Sequence, residues 1–361
     1  MKNKTTWIKW GAGLVLPLAL VGLFELLKSD QARMGWWVDH VMAPVEQLLA
    51  RIWSVFPAFS VAEVLTALVL IVGAVWLVRA VVLLIRRREG RIFAKRLLAL
   101  AGAALGIWCG LDWMWNAAYY APSFDQRSGL KTQPYSVETL EQVTALFAQK
   151  AAEYSTQVQR DENGLFAEDT ASIFEKGPDI YENVSQEFSC LELEHPTRAK
   201  PIFFSRLQSV LGFAGVYFPF TGEANVNVDA PSCLLPATIA HEMAHQRMVA
   251  AEQEANFVGI TASVTSGDPV YVYSGYLMGL IQLCNALYPV DPEGWQAIVE
   301  QYFTPELAAD WNDNNAYWAE LSSPVEDAAE QVYDSFLKGN DQELGMRSYG
   351  ACVDLLVTYF S

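Results

Sequence analysis

Three long apolar segments dominate the first third of the chain. Residues 10–27 and 61–85 are almost uninterrupted apolar runs, and residues 97–115 form a third run that ends in tryptophans. Each run is about as long as a helix that crosses the roughly 30 Å hydrocarbon core of a bilayer. The pattern therefore predicts three transmembrane helices. The first is expected to stay uncleaved, because no small-x-small cleavage site closes its apolar run.

Residues 29–60, between the first two spans, mix apolar and charged positions at near-helical spacing. This pattern is typical of an amphipathic helix that lies at the outer membrane surface, with Trp36 and Trp37 at headgroup depth. A connecting helix packed on the rest of the protein has the same periodicity. Both interpretations stay open.

After Tyr120 the pattern becomes that of a water-soluble domain. Helical periodicity predicts helices at residues 137–158, 305–321, 324–337 and 341–360. Alternating stretches at 216–220 and 224–228 predict two short strands. We therefore expect an α+β fold, mainly helical with a small β-sheet, for residues 120–361, preceded by a membrane anchor in residues 1–119.

Charge follows the same division. Residues 1–119 carry 13 Lys and Arg against 7 Asp and Glu, whereas the remainder carries 11 against 34. Basic residues lie at Lys2–Lys9 and Arg86–Arg96, so the positive-inside rule places both clusters in the cytoplasm. Residues 120–361 are then extracytoplasmic, on a multi-pass inner-membrane protein. Their acidity argues against nucleic acid as a partner. The oligomeric state stays open.

The chemistry of the chain is concentrated in His241-Glu242-Met243-Ala244-His245, an HExxH pattern. The chain has only four histidines, and two of them are in this motif. On a helix, residues four apart lie on one face, so both imidazoles can point at one metal ion, with Glu242 beside the water that the ion holds. Zn²⁺ is the expected cofactor, because a catalytic zinc uses three protein ligands and leaves a position for water. Glu242 would take the proton from that water.

The third ligand is predicted to come from the segment after the motif, where Glu252 and Glu254 are both candidates. An unbroken helix from His241 to Glu252 would separate the two residues by about 16 Å along its axis. One ion cannot bridge that distance. The helix must therefore break between Gln246 and Ala251, or the third ligand lies elsewhere.

The arrangement Glu252-Gln253-Glu254-Ala255-Asn256 resembles the Glu-x-x-Ala-Asp and Glu-x-x-Ala-Asn segments of gluzincin metallopeptidases. That resemblance implies that Glu252 is the zinc ligand and that Asn256 holds a ligand histidine through a hydrogen bond. Glu254 remains the alternative ligand.

A wider resemblance covers most of the chain and points to an uncharacterised family of bacterial membrane proteins, domain of unknown function 3810. The segments that carry it are Phe218–Asn227, Pro236, the HExxH and Glu-Gln-Glu-Ala-Asn-Phe motifs, Tyr273–Tyr276, Ser348–Gly350 and Asn116–Leu130. Family members often have glycine where Met248 stands, and that glycine would form the turn after the second histidine. The resemblance implies a zincin-like metallopeptidase site without a known substrate.

A metallopeptidase also needs a donor that stabilises the oxyanion. Tyr271, Tyr273 and Tyr276 follow the Glu252 segment, and the family resemblance favours Tyr273. Glu223 and Asn225 could line the cleft.

Cysteine usage leaves two interpretations open. Cys109 lies in the third span, and Cys190, Cys233, Cys284 and Cys352 lie in the part expected outside the cytoplasm. An oxidising compartment permits disulfides between them, whereas apolar neighbours suit buried free thiols.

Together these patterns predict a membrane-anchored zinc metallopeptidase that acts on a peptide or protein substrate outside the cytoplasm, with the lipid bilayer as its second partner. The alternative is a non-catalytic binding or scaffold protein that retains a zincin-like fold. An intramembrane protease is disfavoured, because the HExxH run is not within a long apolar span.

Overall fold

A computed structural model describes residues 2–88, 90–342 and 348–361, with side chains described outside residues 2–13, 87 and 348–351. Glu89 in the basic cluster lies outside the described residues, as do residues 343–347 of the helix predicted at 341–360. The side chains of Lys2, Lys4 and Lys9 are also outside them.

The first third of the chain is entirely helical. Its helices are α1 (Lys2–Leu27), α2 (Gln31–Trp37), α3 (Ala43–Trp53), α4 (Val61–Arg87) and α5 (Gly90–Met114), with a π-helical turn at Val38–Met42 and a 3-10 turn at Asn116–Tyr120. Helix α5 packs against both α1 and α4.

Length and hydropathy agree with a membrane protein. Helix α5 and residues Val61–Arg86 of α4 are long and apolar enough to cross a bilayer, and the part of α1 with described side chains, Leu14–Leu27, is a shorter apolar helix. These helices contain the three predicted spans. Helix α13 (Pro269–Leu287) is also long and apolar enough to cross a bilayer, but 67% of its most apolar stretch is buried inside the protein. Packing in the core therefore explains its apolar sequence.

The remaining helices surround a small sheet. They are α6 (Phe124–Ser128), α7 (Val137–Ser155), α8 (Thr170–Lys176), α9 (Glu182–Glu187), α10 (Ser205–Val210), α11 (Leu235–His245), α12 (Glu252–Thr265), α13, α14 (Pro292–Tyr302), α15 (Pro305–Leu321), α16 (Pro324–Gly339) and α17 (Ser348–Phe360), with 3-10 turns at Gly177–Tyr181, Ser189–Leu191 and Ser232–Leu234. Helices α7, α11, α12, α13 and α17 pack together around the main core. The chain is therefore mainly helical, as predicted.

The sheet has three strands among the described residues, in the order β1 (Lys200–Pro201), β3 (Glu223–Val226), β2 (Gly215–Phe218). Strand β1 runs parallel to β3, and β2 runs antiparallel to it. The two predicted strands are β2 and β3, each shorter than the alternation suggested. One side of β3 packs on α11, so the sheet supports the helix that carries the HExxH motif.

Residues 31–53 pack on the rest of the protein instead of lying apart from it. Met34, Val38 and Met42 form a second apolar core with Met248 and Ala250. The connecting-helix interpretation is therefore correct for this face of the segment. The opposite face is apolar and exposed at Trp36, Val45, Leu48 and Ile52.

All five cysteines are free thiols, and Cys233, Cys284 and Cys352 are buried. The buried-thiol interpretation therefore describes these three residues.

Helix α4 is fastened to the sheet through Glu223. This carboxylate accepts hydrogen bonds from the backbone N–H of Ala62 (2.7 Å) and of Val61 (3.4 Å) at the start of α4, and it pairs with the buried ammonium of Lys200. Glu223 thus satisfies backbone donors that a helix start leaves unbonded. Its role is to join α4 to the sheet, which corrects the expectation that it lines a cleft.

Glu223→Gln should destabilise the protein by about 3 kcal/mol, because the amide keeps the shape but leaves the Lys200 charge unpaired in the interior. The measurement is the free energy of unfolding of the full chain in detergent micelles. Adding Lys200→Met should recover part of the loss. The control is Glu153→Gln, which breaks the exposed Lys150–Glu153 pair and should change stability by less than about 0.5 kcal/mol. Equal effects of the two single substitutions would contradict the role of Glu223.

Candidate metal centre

The HExxH motif occupies the last turns of α11, and the chain reverses immediately after it. Helix α11 ends at His245 and α12 begins at Glu252, so the predicted break is present. Met248 has φ of +59°, the left-handed conformation that a glycine would adopt without strain. The Met248 side chain is buried in the second apolar core, and this packing offsets the cost of the conformation.

The reversal brings three ligand side chains to one point. Nε2 of His241 lies 3.3 Å from Oε2 of Glu252, and Nε2 of His245 lies 3.8 Å from the same oxygen. The three ligand atoms all lie within 4.8 Å of one another. In a tetrahedral zinc site with bonds of about 2.0–2.1 Å, neighbouring ligand atoms are about 3.3–3.4 Å apart. The spacing of the His-His-Glu cluster therefore fits one metal ion.

Glu254 has a separate structural role. Its carboxylate accepts hydrogen bonds from the backbone N–H of Phe124 (2.9 Å) and Asp125 (3.2 Å), which begin α6. Glu252 is therefore the acid that joins the two histidines, and the alternative of Glu254 as third ligand is not supported.

Each histidine is held differently. Nδ1 of His245 donates to the carbonyl oxygen of Val249 (2.7 Å), which leaves Nε2 without a proton and free to bind a metal. Nδ1 of His241 and Nδ2 of Asn256 are both buried without a hydrogen-bond partner. Burial opposes the charged form of His241, but its hydrogen bond with Glu252 and the nearby carboxylates raise its pKa, with a smaller contribution from Asn256. The orienting role of Asn256 stays a prediction.

The ionisation of His245 and Glu252 suits a cation. Burial lowers the pKa of His245 to about 4, so this imidazole is neutral at pH 7. Burial alone would raise the pKa of Glu252, but the hydrogen bond from His241 and the electrostatic interaction with both imidazole rings lower it to about 2. A neutral imidazole and an ionised carboxylate are the forms that coordinate metals.

Glu242 is buried beside the ligands without being one of them. Its Oε2 has no hydrogen-bond partner, and burial raises its pKa to about 8. A carboxyl group with a pKa near neutrality can both accept and return a proton. Space for it depends on Gly215 of β2, where a Cβ would collide with the Glu242 carboxyl. Glu242 is thus placed between the HExxH helix and the sheet.

Close contact between the two ligand-bearing helices depends on one glycine. A Cβ at Gly259 of α12 would lie 2.7 Å from the backbone nitrogen of His241 and 2.9 Å from its Cα. Only glycine therefore lets α12 approach α11 this closely, and this approach sets the position of Glu252 relative to both histidines.

Tyr273 is not directed at the cluster, which corrects its expected role as oxyanion donor. Its hydroxyl donates to Oδ2 of Asp310 at 2.5 Å, and the same carboxylate pairs with Arg160. Burial raises the pKa of Tyr273. The hydroxyl of Tyr271 likewise donates to a core carbonyl, that of Ile173. The third candidate, Tyr276, packs on Phe147. These tyrosines stabilise the core.

Residues from distant parts of the chain complete the surroundings of the cluster, and sequence reasoning did not identify them. The hydroxyl of Tyr333 on α16 donates to Oε1 of Glu252, the carboxylate oxygen that does not face the histidines. Trp115 stands edge-on to the His245 ring at 5.4 Å. No local motif in residues 324–339 marks Tyr333. Trp115 lies at the end of the third predicted span, and that position alone explains an aromatic residue there.

The chain matches a family model described as "Protein of unknown function (DUF3810)" over residues 38–357. No curated protein and no solved structure matches it. The matched range contains α4, α5, the sheet and the complete His-His-Glu cluster. The chain therefore belongs to the DUF3810 family.

Proposed function

We propose that this protein is a membrane-anchored, zinc-dependent metallopeptidase whose site faces the extracytoplasmic side. The observation that carries the proposal is the convergence of His241, His245 and Glu252 on one point, with the unbonded carboxyl of Glu242 beside it. When bound there, zinc would supply the Lewis acidity that lowers the pKa of water and polarises a carbonyl group.

Each side chain has a separate task in this proposal. His241, His245 and Glu252 would hold the ion. Glu242 would accept the proton of the attacking water and deliver it to the leaving amine, a sequence that suits a carboxyl whose pKa burial raises to about 8. Tyr333 would hold the Glu252 carboxylate in place through its hydrogen bond to Oε1.

The sheet supports a polypeptide as substrate. Among the described residues strand β2 pairs on one side only, with β3, and Gly215 at its start lies against the Glu242 carboxyl. An edge strand can bind an extended segment through backbone hydrogen bonds, and this pairing would pass a peptide bond in front of Glu242. The proposal therefore assigns substrate backbone binding to β2.

Glu242→Gln should lower hydrolysis of denatured casein by at least about 100-fold while one zinc per chain is retained, because only the proton acceptor is lost. His241→Ala and Glu252→Ala should each lose the zinc as well. The measurements are the metal content of the full chain in detergent, by mass spectrometry, and the release of peptides from casein by the same preparation. The matched control, Glu254→Gln, should retain both zinc and activity. A wild-type chain that holds no zinc would reject the proposal, and a zinc-bound chain without hydrolysis would favour a binding role.

Tyr333→Phe should weaken zinc binding by about 10-fold, because the hydroxyl orients the Glu252 ligand. Competition with a chelator measures the affinity. The control is Tyr317→Phe, which removes a comparable bond from a tyrosine hydroxyl to the Asp229 carboxylate (2.5 Å) on a different part of the fold. An equal effect of the two substitutions would contradict the orienting role.

A further inference from the structure

An apolar groove lies between the first turns of α4, helix α10 and strand β2. It has a volume of about 300 Å³ and is open at one side. One wall is the first three turns of α4, from Ser60 to Leu70, and the other wall is α10. Val216 and Phe218 of β2 form its inner end.

The groove lies beside the first turns of α4, a helix long and apolar enough to cross a bilayer. The carboxylate of Glu63, in the first turn of α4, accepts hydrogen bonds from the backbone N–H of Phe203 (2.8 Å) and Phe204 (2.7 Å). Phe203 is 82% exposed and Leu207 of α10 is 57% exposed. Exposed aromatic and aliphatic side chains beside the end of an apolar helix are typical of the interface between lipid and water. The open side of the groove therefore faces the region that lipid would cover.

Strand β2 lies between this groove and Glu242. The side chains of Val216 and Phe218 point into the groove, whereas Gly215 faces the Glu242 carboxyl. A segment that pairs with β2 would alternate its side chains between these two sides, because successive residues of a strand point to opposite faces.

The pairing register shows which groups of β2 are available. The carbonyl oxygen of Val226 accepts a hydrogen bond from the backbone N–H of Ile202, next to β1. The carbonyl oxygen of Ala214, before β2, accepts one from the backbone N–H of Asn227, which follows β3. Bonded and non-bonded pairs alternate in an antiparallel ladder. The backbone N–H and C=O groups of Val216, opposite Asn225, therefore point to β3. Those of Gly215 and Tyr217 point to the free edge of the sheet.

We infer that the substrate is a second membrane protein, whose extended apolar segment next to its own transmembrane helix enters this groove from the bilayer and pairs with β2. The inference rests on the proposed peptidase function and specifies its substrate class. The groove is continuous with the surface of α4 that lipid would cover, and the free strand edge selects a polypeptide over a lipid chain. A segment anchored in the same membrane also gains effective concentration at the site.

The experiment uses the full chain carrying Glu242→Gln, loaded with zinc and reconstituted in phospholipid vesicles. A photoreactive benzoylphenylalanine replaces Leu207 in the groove or, as a control, the equally exposed Val290 outside it. The probe is an unfolded casein segment fused to one transmembrane helix, compared with the same segment without the helix. We expect the fused probe to crosslink at position 207 at least about fivefold more than at position 290. At position 207 it should also crosslink more than the segment without the helix.

A second pair of variants tests the groove itself. Ala67→Trp fills the groove and should lower crosslinking of the fused probe by at least about fivefold. Ala74→Trp lies two turns further along α4, outside the groove, and should change it by less than about twofold. A zinc content equal to that of the parent chain shows that each variant is folded. If Ala67→Trp loses its zinc, Thr66→Trp fills the same groove from a more exposed position.

The outcomes separate this inference from the peptidase proposal. Crosslinks to phospholipid alone, or a fused probe that is unaffected by a filled groove, would overturn the inference while hydrolysis by the wild type still supports the peptidase. Groove-dependent crosslinking without any hydrolysis by the wild type would retain the binding surface and reject the peptidase.

Discussion

The reversal of the chain between His245 and Glu252 is the constraint on which the candidate site depends. Six residues must turn the backbone so that a carboxylate about three helical turns further along the chain returns to the two histidines. Met248 makes the turn in a left-handed conformation that costs about 1 kcal/mol or more for a residue with a side chain. The buried side chain of Met248 contributes apolar burial in return, in a core that it shares with α2 and the turn after it. The geometry of the His-His-Glu cluster is therefore stabilised partly by the segment that connects α1 and α4.

That dependence extends through several other contacts. Glu46 on α3 accepts a hydrogen bond from the hydroxyl of Tyr217 of β2, and burial raises the pKa of the Glu46 carboxyl well above its usual range. Glu223 joins the same sheet to the start of α4. The sheet that faces Glu242 is thus held from the membrane side at two points. A division into anchor and enzyme at residue 119 describes the composition of the chain, but not the contacts that position the site.

Local patterns were sufficient to predict the features whose causes are local. The apolar runs predict α1, α4 and α5 because a span needs length and hydropathy alone. The spacing of His241 and His245 predicts their shared face because helix geometry fixes it. The need for a break before Glu252 also follows from helix rise. The partner of Glu254 could not be predicted, because the N–H groups it binds are 130 residues earlier and no sequence pattern connects them. Tyr273 was assigned a role by resemblance, whereas its hydroxyl is bound by Asp310, a residue on a helix that the motif does not include.

The contacts of His245 show why the membrane segments belong to the candidate site. Trp115 follows the last residue of α5, and its indole ring lies edge-on against the imidazole of His245. On the other side of the cluster, Tyr119 packs against Phe336 of α16, the helix that also carries Tyr333. A fragment that begins at Tyr120 would lack Trp115, Tyr119 and the Glu46 partner of Tyr217, and it would expose the apolar surface around Met248 to water. Removing these groups would change the dielectric around His245, and with it the burial that keeps this imidazole neutral. The surroundings that the proposed metal ligand His245 needs therefore depend on the whole chain, because Trp115, directly after α5, covers its imidazole.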